Sequence, residues 1–139
     1  MKIYFAGSIR GGRDDAGFYA KLIEVLQQYG TVLTEHIGLK TLTDNGEQRP
    51  PEEIFERDTA WVKEVSVVVA EVTQPSLGVG YEIGLAESLR IPVLCLFRTS
   101  SDKRLSAMIS GNTYCVVKKY DSIDDAVRIL AEYFKKTAK

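Results

Sequence analysis

The run Val67-Val68-Val69-Ala70 constrains the fold most, because it is β-branched and apolar without any alternation. A strand with one wet face alternates, so a strand of this kind must be covered on both faces. Its strand character extends over Val67–Val72, and four further short runs share it: Ile3–Ala6, Thr31–Thr34, Val93–Phe97 and Tyr114–Val117. Longer segments with helical periodicity separate them. Phe18, Leu22 and Leu26 recur at four-residue spacing after Asp14 and Asp15, and Gly30 ends that pattern. Ile123, Ala126, Val127, Leu130, Ala131 and Phe134 form a helical stripe. Lys135, Lys136 and Lys139 follow where cations suit a helix C-terminus. Repeated strand–helix alternation implies crossover connections and an open parallel sheet with helices on both faces. The expected fold is α/β: a single doubly wound, Rossmann/flavodoxin-like domain over residues 1–139 with a five-stranded parallel sheet.

Such a sheet needs a core, and a 139-residue chain can bury roughly 68% of its unfolded surface. Apolar residues at 45% and charged residues at 27% exclude disorder. Eighteen Lys plus Arg against 19 Asp plus Glu give a net charge of −1, with no field to attract nucleic acid or an anionic membrane. No apolar run is long enough to span a bilayer, and Met1 to Gly7 is broken too soon for a secretory signal. A cytoplasmic protein is therefore expected. Cys95 and Cys115 lie inside apolar runs without metal-ligand spacing and read as small buried hydrophobes. His36 is the only histidine, so no zinc cluster is expected, and no metal or cofactor enters the reading.

Ligands of doubly wound sheets bind beyond the carboxyl ends of the strands. Here those ends carry Gly7 to Arg13, Glu35 and His36, Glu71 to Gly80, and Arg98 to Ser101. The first loop reads Gly7-Ser8-Ile9-Arg10-Gly11-Gly12-Arg13, between strand one and helix one. Its glycines let backbone N–H groups curl around an anion at a helix start, and Arg10 and Arg13 can add forked contacts to phosphate. It lacks the Gly-Lys-Ser/Thr ending of a P-loop and does not match Gly-x-Gly-x-x-Gly, which argues against NAD. A glycine-rich turn with no ligand is the plain alternative.

Two acids fall where acids are costly. With Asp58 set at zero and 100° per residue, Ile54, Phe55, Trp61, Val62 and Val65 all lie within about 60° of it. On the helix expected after Gly80, Val79, Leu85, Ala86 and Leu89 lie within about 60° of Glu82, with Ile83 near 100°. Glu87 falls near 140° and reads as solvated. A buried carboxylate needs a partner or a job. Paired carboxylates perform acid, base or nucleophilic work at a glycosidic carbon. Glu82, placed in the first turn of its helix, would be kept ionised by the dipole, which suits a nucleophile. Asp58 could orient water or the leaving base, or supply a proton.

The stretch between the acids contains Ser76, a helix cap or a ligand donor, and Gly78 and Gly80, which allow close backbone approach. His36 reads as a supporting residue near the site. Tyr4 in strand one could reach a neighbouring carboxylate or serve the core. Ser106 alone reads as a helix cap or surface serine.

The order of these segments resembles the 2'-deoxynucleoside 5'-phosphate N-hydrolases, of the nucleoside 2-deoxyribosyltransferase superfamily. The likeness is carried by Ile3 to Arg13, VLTEH at Val32 to His36, VVVAEVTQPSLGVGYEIG at Val67 to Gly84, LCLFR at Leu94 to Arg98 and LSAMI at Leu105 to Ile109. It implies cleavage of the N-glycosidic bond of deoxynucleoside monophosphates to free base and 2-deoxyribose 5-phosphate. It further implies Glu82 as nucleophile at C1', Asp58 aiding base departure or hydrolysis, and Tyr4 holding the Glu82 carboxylate. The Gly7 to Arg13 loop, His36, Ser76 and Gly78 would bind substrate. Ser106 would reach the phosphate from the partner subunit of a homodimer. The chain departs from the family pattern in a shorter Lys40 to Pro51 loop and in the segment after Gly111. Two other activities fit the same residues: base exchange on deoxynucleosides, and nucleotide binding without catalysis. The Pro-Gly-Gly-x-Gly-Thr signature of ribonucleotide phosphoribohydrolases is absent.

Overall fold

A computed structural model describes residues 1–8, 16–38 and 47–138. In chain order the elements are β1 (Lys2–Ala6), α1 (Ala16–Leu26), β2 (Thr31–Val32), a 3-10 turn (Glu35–Gly38), α2 (Pro51–Glu64) and β3 (Val67–Glu71). There follow α3 (Leu77–Ser88), β4 (Val93–Arg98), α4 (Ala107–Ser110), β5 (Val116–Tyr120) and α5 (Ile123–Thr137). The five strands pair in parallel in the order β2-β1-β3-β4-β5, which is the flavodoxin-like doubly wound order.

Period-2 alternation sorts the side chains into two cores. Ile3, Phe5, Val67, Val69, Leu94 and Leu96 pack on one face with α1 and α5. Tyr4, Ala6, Val68, Ala70, Val93 and Cys95 pack on the other with α2 and α3. All five residues of β3 are buried, as its unbroken apolar run requires. Cys95 and Cys115 are buried and free. Strand order reverses between β1 and β3, so the crevice at their carboxyl ends is the natural ligand position. Among the described residues, no helix is long and apolar enough to cross a membrane.

Three elements differ from the sequence-based expectation. β2 stops at Val32, because Thr34 leaves the ladder and serves β1 with its side chain. Its hydroxyl accepts from Phe5 N at 2.8 Å and donates to Phe5 O at 2.6 Å. β5 begins at Val116 rather than Tyr114. The Asn112 side chain accepts from Tyr114 N at 2.8 Å and Cys115 N at 3.3 Å, which folds that stretch into a turn. Polar Lys118 and Lys119 extend the strand instead, as an edge strand permits. On α5 the buried positions are Ala126, Leu130 and Phe134, while Val127 and Ala131 face out. Tyr29, from the turn after α1, stacks on Phe134 with centroids 4.6 Å apart and draws that face inward. Gly30 has a steric reason: a Cβ there would lie 2.4 Å from the carbonyl oxygen of Met1. Asp14, Asp15 and Lys139 lie outside the described residues.

Candidate active site

A cavity of about 890 Å³ opens at the switch point, with Gly7 from the end of β1, Asp58 from α2, Gln74 to Gly80 after β3, and Glu82 from α3 on its walls. Proline at the first position of α2 and Ser76 at the N-cap of α3 fix where the two flanking helices begin. The Ser76 hydroxyl accepts from Val79 N at 3.3 Å and also faces the cavity.

Starting α3 at Leu77 makes Glu82 its sixth residue, in the second turn. The dipole argument for its ionisation therefore does not hold, since that field fades within the first turn. Glu82 is governed by two other influences. Burial pushes its carboxyl up to about 8. The Tyr4 hydroxyl donates to its Oε2 and opposes that push by favouring the anion. Tyr4 comes from β1, fully buried on the α2/α3 face. The tyrosine is therefore both a core residue and the partner of a cavity carboxyl. Gly78 is the wall residue beside this carboxyl: a Cβ there would stand 4.0 Å from Glu82 Oε1, in ordinary contact.

Asp58 lines the same cavity but does not sit at the centre of a buried face. Among the described residues of α2 only Val62 is buried, and Phe55 is 56% exposed. The helix rests on the sheet through its C-terminal half, and its first turns stand over the cavity. Ile54 and Phe55 there line a second opening of about 390 Å³ that Asp58 and Glu82 share. Asp58 has a partner: its Oδ1 accepts from Arg57 Nε at 2.9 Å.

The remaining expected residues divide. Ser8 is fully buried; its N–H donates to the Tyr19 hydroxyl at 3.1 Å, and its own hydroxyl has no partner among the described residues. Ile9, Arg10, Gly11, Gly12 and Arg13 lie outside the described residues. His36 stands behind the wall rather than on it. Its Nε2 is 3.6 Å from Glu47 Oε2 and 3.4 Å from Arg57 Nη2, and burial holds its pKa below the usual value. Ser106 caps α4, accepting from Met108 N at 3.2 Å, and faces the cavity of its own chain. Glu71 and the stretch from Arg98 to Ser101 are not on the cavity wall. Glu71 is sealed at the end of β3, where Thr73 N donates at 2.7 Å, Thr73 Oγ1 at 3.0 Å, and the Tyr120 hydroxyl donates as well. The Arg98 guanidinium lies 4.3 Å over the Phe18 ring.

Sequence reasoning missed Glu47, Arg57 and Asn112, and misplaced Glu87. Glu87 is half-buried on the cavity and accepts from Asn112 Nδ2 at 3.1 Å, because the turn after α4 folds back to it. Gln74 is buried on the wall within a stretch already singled out. Among the described residues no three metal-ligating side chains cluster. The cavity wall thus offers a desolvated carboxyl with a hydroxyl donor and a second carboxylate held by an arginine.

The sequence profile of the nucleoside 2-deoxyribosyltransferases matches residues 3–125. A 5-hydroxymethyl-dUMP N-hydrolase of Tetraodon nigroviridis is 51% identical over 139 residues, covering 96% of this chain and 97% of the relative. A putative 2'-deoxynucleoside 5'-phosphate N-hydrolase 1 of Trichoplax adhaerens is 57% identical over 109 residues, covering 78% of this chain and 74% of the relative. Among solved structures, a CMP N-glycosidase of Clostridium botulinum superposes with a TM-score of 0.66 at 17% identity, covering 96% of this chain and 99% of the other. At that identity the likeness speaks for the fold alone.

Proposed function

The chain belongs to the nucleoside 2-deoxyribosyltransferase family, and from that premise we propose that it hydrolyses 2'-deoxynucleoside 5'-monophosphates to free base and 2-deoxyribose 5-phosphate. The observation that carries the proposal is Glu82, a desolvated carboxyl on the cavity wall held by the Tyr4 hydroxyl. In its ionised form Glu82 attacks C1' of the deoxyribose. The C1'–N bond breaks, its electron pair leaves with the base, and the base takes up a proton. Water then adds to C1' of the glycosyl ester, gives up a proton and frees Glu82. A deoxyribosyl centre has no electron-withdrawing 2'-hydroxyl, which eases the oxocarbenium-like transition state. Asp58 assists base departure or the incoming water. Gly7, Ser8, Ile9, Arg10, Gly11, Gly12 and Arg13, with Ser76 and Gly78, form the substrate-binding set, and His36 supports it from behind the wall. Binding energy from the remote phosphate positions C1' against Glu82.

The enzyme acts as a cytoplasmic homodimer in which Ser106 of each chain reaches the phosphate bound to the other. Two observations support pairing through this face: Leu77 is 96% exposed and Met108 82% exposed at the mouth, and nothing lies within 4 Å of a Cβ built at Gly80 or Gly84 on α3. Ser106→Ala is expected to weaken monophosphate binding much more than nucleoside binding. Equal losses for both ligands would remove the phosphate role.

The test is base release from deoxynucleoside monophosphates, 5-hydroxymethyl-dUMP included for its place in the relatives' names, beside their nucleosides and ribonucleotides. Release from the deoxy monophosphates alone is the expected result. Release from nucleosides only when a second base is supplied would mean base exchange instead. Binding without release from any would mean a nucleotide-binding module.

A further inference from the structure

Arg57 bonds two residues of the cavity wall, Glu47 and Asp58, and nothing in the proposed chemistry uses it. Adjacent helical residues point about 100° apart, so Arg57 does not face Asp58 by helical geometry alone. It is bent there. Trp61, one turn on, takes the guanidinium 4.8 Å above its ring. From that platform Nε reaches Asp58 Oδ1 at 2.9 Å. The other edge of the guanidinium forks onto Glu47, at 2.7 Å from Nη1 and 2.6 Å from Nη2. Those bonds hold the Glu47 carboxylate below its usual pKa and raise that of Arg57. His36, kept neutral by burial, closes the far side with its Nε2 3.4 Å from Nη2. The guanidinium, Glu47 and Asp58 are all mostly out of water, with side chains 20%, 14% and 24% exposed. The fork therefore works at reduced screening and in one geometry.

The consequence falls on Asp58. Oδ1 is occupied, no described residue bonds Oδ2, and Asp58 lines the cavity. We propose that Arg57 is a positioning residue: clamped between Trp61 and Glu47, it fixes the Asp58 carboxylate with Oδ2 free for the leaving base or the attacking water. This rests on the hydrolytic reading above and adds to it the group that orients its second acid. Glu47 supports the clamp from the segment preceding α2. That segment thereby enters the reaction through a charge network without needing to touch the sugar.

A double-mutant cycle between Arg57 and Asp58 tests this, read as kcat for base release and as monophosphate affinity measured separately by titration. Arg57→Ala should lower kcat about 10²-fold, the scale of a mis-set proton-transfer group, while changing affinity less than about 3-fold. Added methylguanidinium should restore part of the lost kcat, and Arg57→Lys, which keeps the charge but not the fork, should fall between. In an Asp58→Asn background the Arg57 substitution should cost nothing further. Unchanged kcat in Arg57→Ala overturns the proposal, as does a full further loss in the Asp58→Asn background, and so does loss of kcat and affinity together without rescue. If Arg57→Ala does not fold, Arg57→Gln, which keeps the stem over Trp61, carries the same cycle. The parent protein distinguishes the two levels. An active parent with an indifferent Arg57 removes only the clamp, whereas a parent that releases no base removes the hydrolytic reading itself.

Discussion

Glu71 ends β3 and Glu82 belongs to the helix that follows it, and each takes a hydrogen bond from a tyrosine hydroxyl, Tyr120 in one case and Tyr4 in the other. Around Glu71 the carboxylate also receives Thr73 N and Thr73 Oγ1, has no solvent exposure and lines neither of the two openings beside Glu82. Thr73 Oγ1 in turn accepts from Arg98 N at 2.9 Å, so the acid ties the ends of β3, β4 and β5 together. Around Glu82 one donor faces a desolvated carboxyl with open volume beside it. A saturated buried acid is structure. An under-satisfied one beside a cavity is held in reserve for charge that arrives with the substrate.

Exchanging the roles of the two glutamates is the most severe way to break this distinction. Glu82→Gln should lose turnover by about 10³-fold, or about 4 kcal/mol of barrier, in a steady-state base-release assay, with its circular dichroism unchanged. Glu71→Leu should do the reverse: about 3 kcal/mol of stability is lost in denaturant unfolding, because Tyr120 and Thr73 are left buried without their acceptor. Its residual folded fraction should keep its specific activity.

The pH dependence sharpens the same distinction. Glu82 titrates near 8 in the folded chain, above its unfolded value, so the native state binds the extra proton. Its contribution to stability is present below the unfolded value and is lost as pH rises towards 8. Glu82→Gln should therefore gain on the order of 2 kcal/mol over the parent at pH 8 and nothing at pH 4, read from thermal midpoints across pH. Activity runs the other way: kcat/KM of the parent should rise with pH as the nucleophile ionises, half-maximal near 8 and level above it. The smallest expected effects come from the two tyrosines. Tyr4→Phe should lower turnover about tenfold, near 1.4 kcal/mol, and move the rising limb of the pH profile upward. Tyr120→Phe should cost about 1 kcal/mol of stability and leave the profile in place.

Much of this was legible in the sequence, for reasons that differ by region. β1, β3 and β4 are covered on both faces, so their apolar runs announce them. β5 is an edge strand carrying two lysines, and its start is set by an asparagine turn, so that start was missed by two residues. Glu82 stood out because an acid among apolar neighbours is conspicuous at helical spacing. The reason attached to it failed, because Ser76 starts α3 earlier than the glycines suggested. Asp58 was found by the same arithmetic but is half-buried, since periodicity reports a face and not what covers it. Arg57, Glu47 and Glu87 gave no signal. In sequence they are ordinary surface charges, and only tertiary proximity turns them into a clamp and a wall.

Glu82 as a covalent nucleophile is tested most directly by methanol trapping. Base release is run in dilute methanol, and the anomeric configuration of the methyl 2-deoxyriboside 5-phosphate is read by NMR. Two displacements at C1', the first by Glu82, give a methyl glycoside with the β configuration of the substrate. That is the expected result. An inverted methyl glycoside would mean one direct displacement by the solvent nucleophile, with Glu82 in some other role, and would contradict the mechanism built on it.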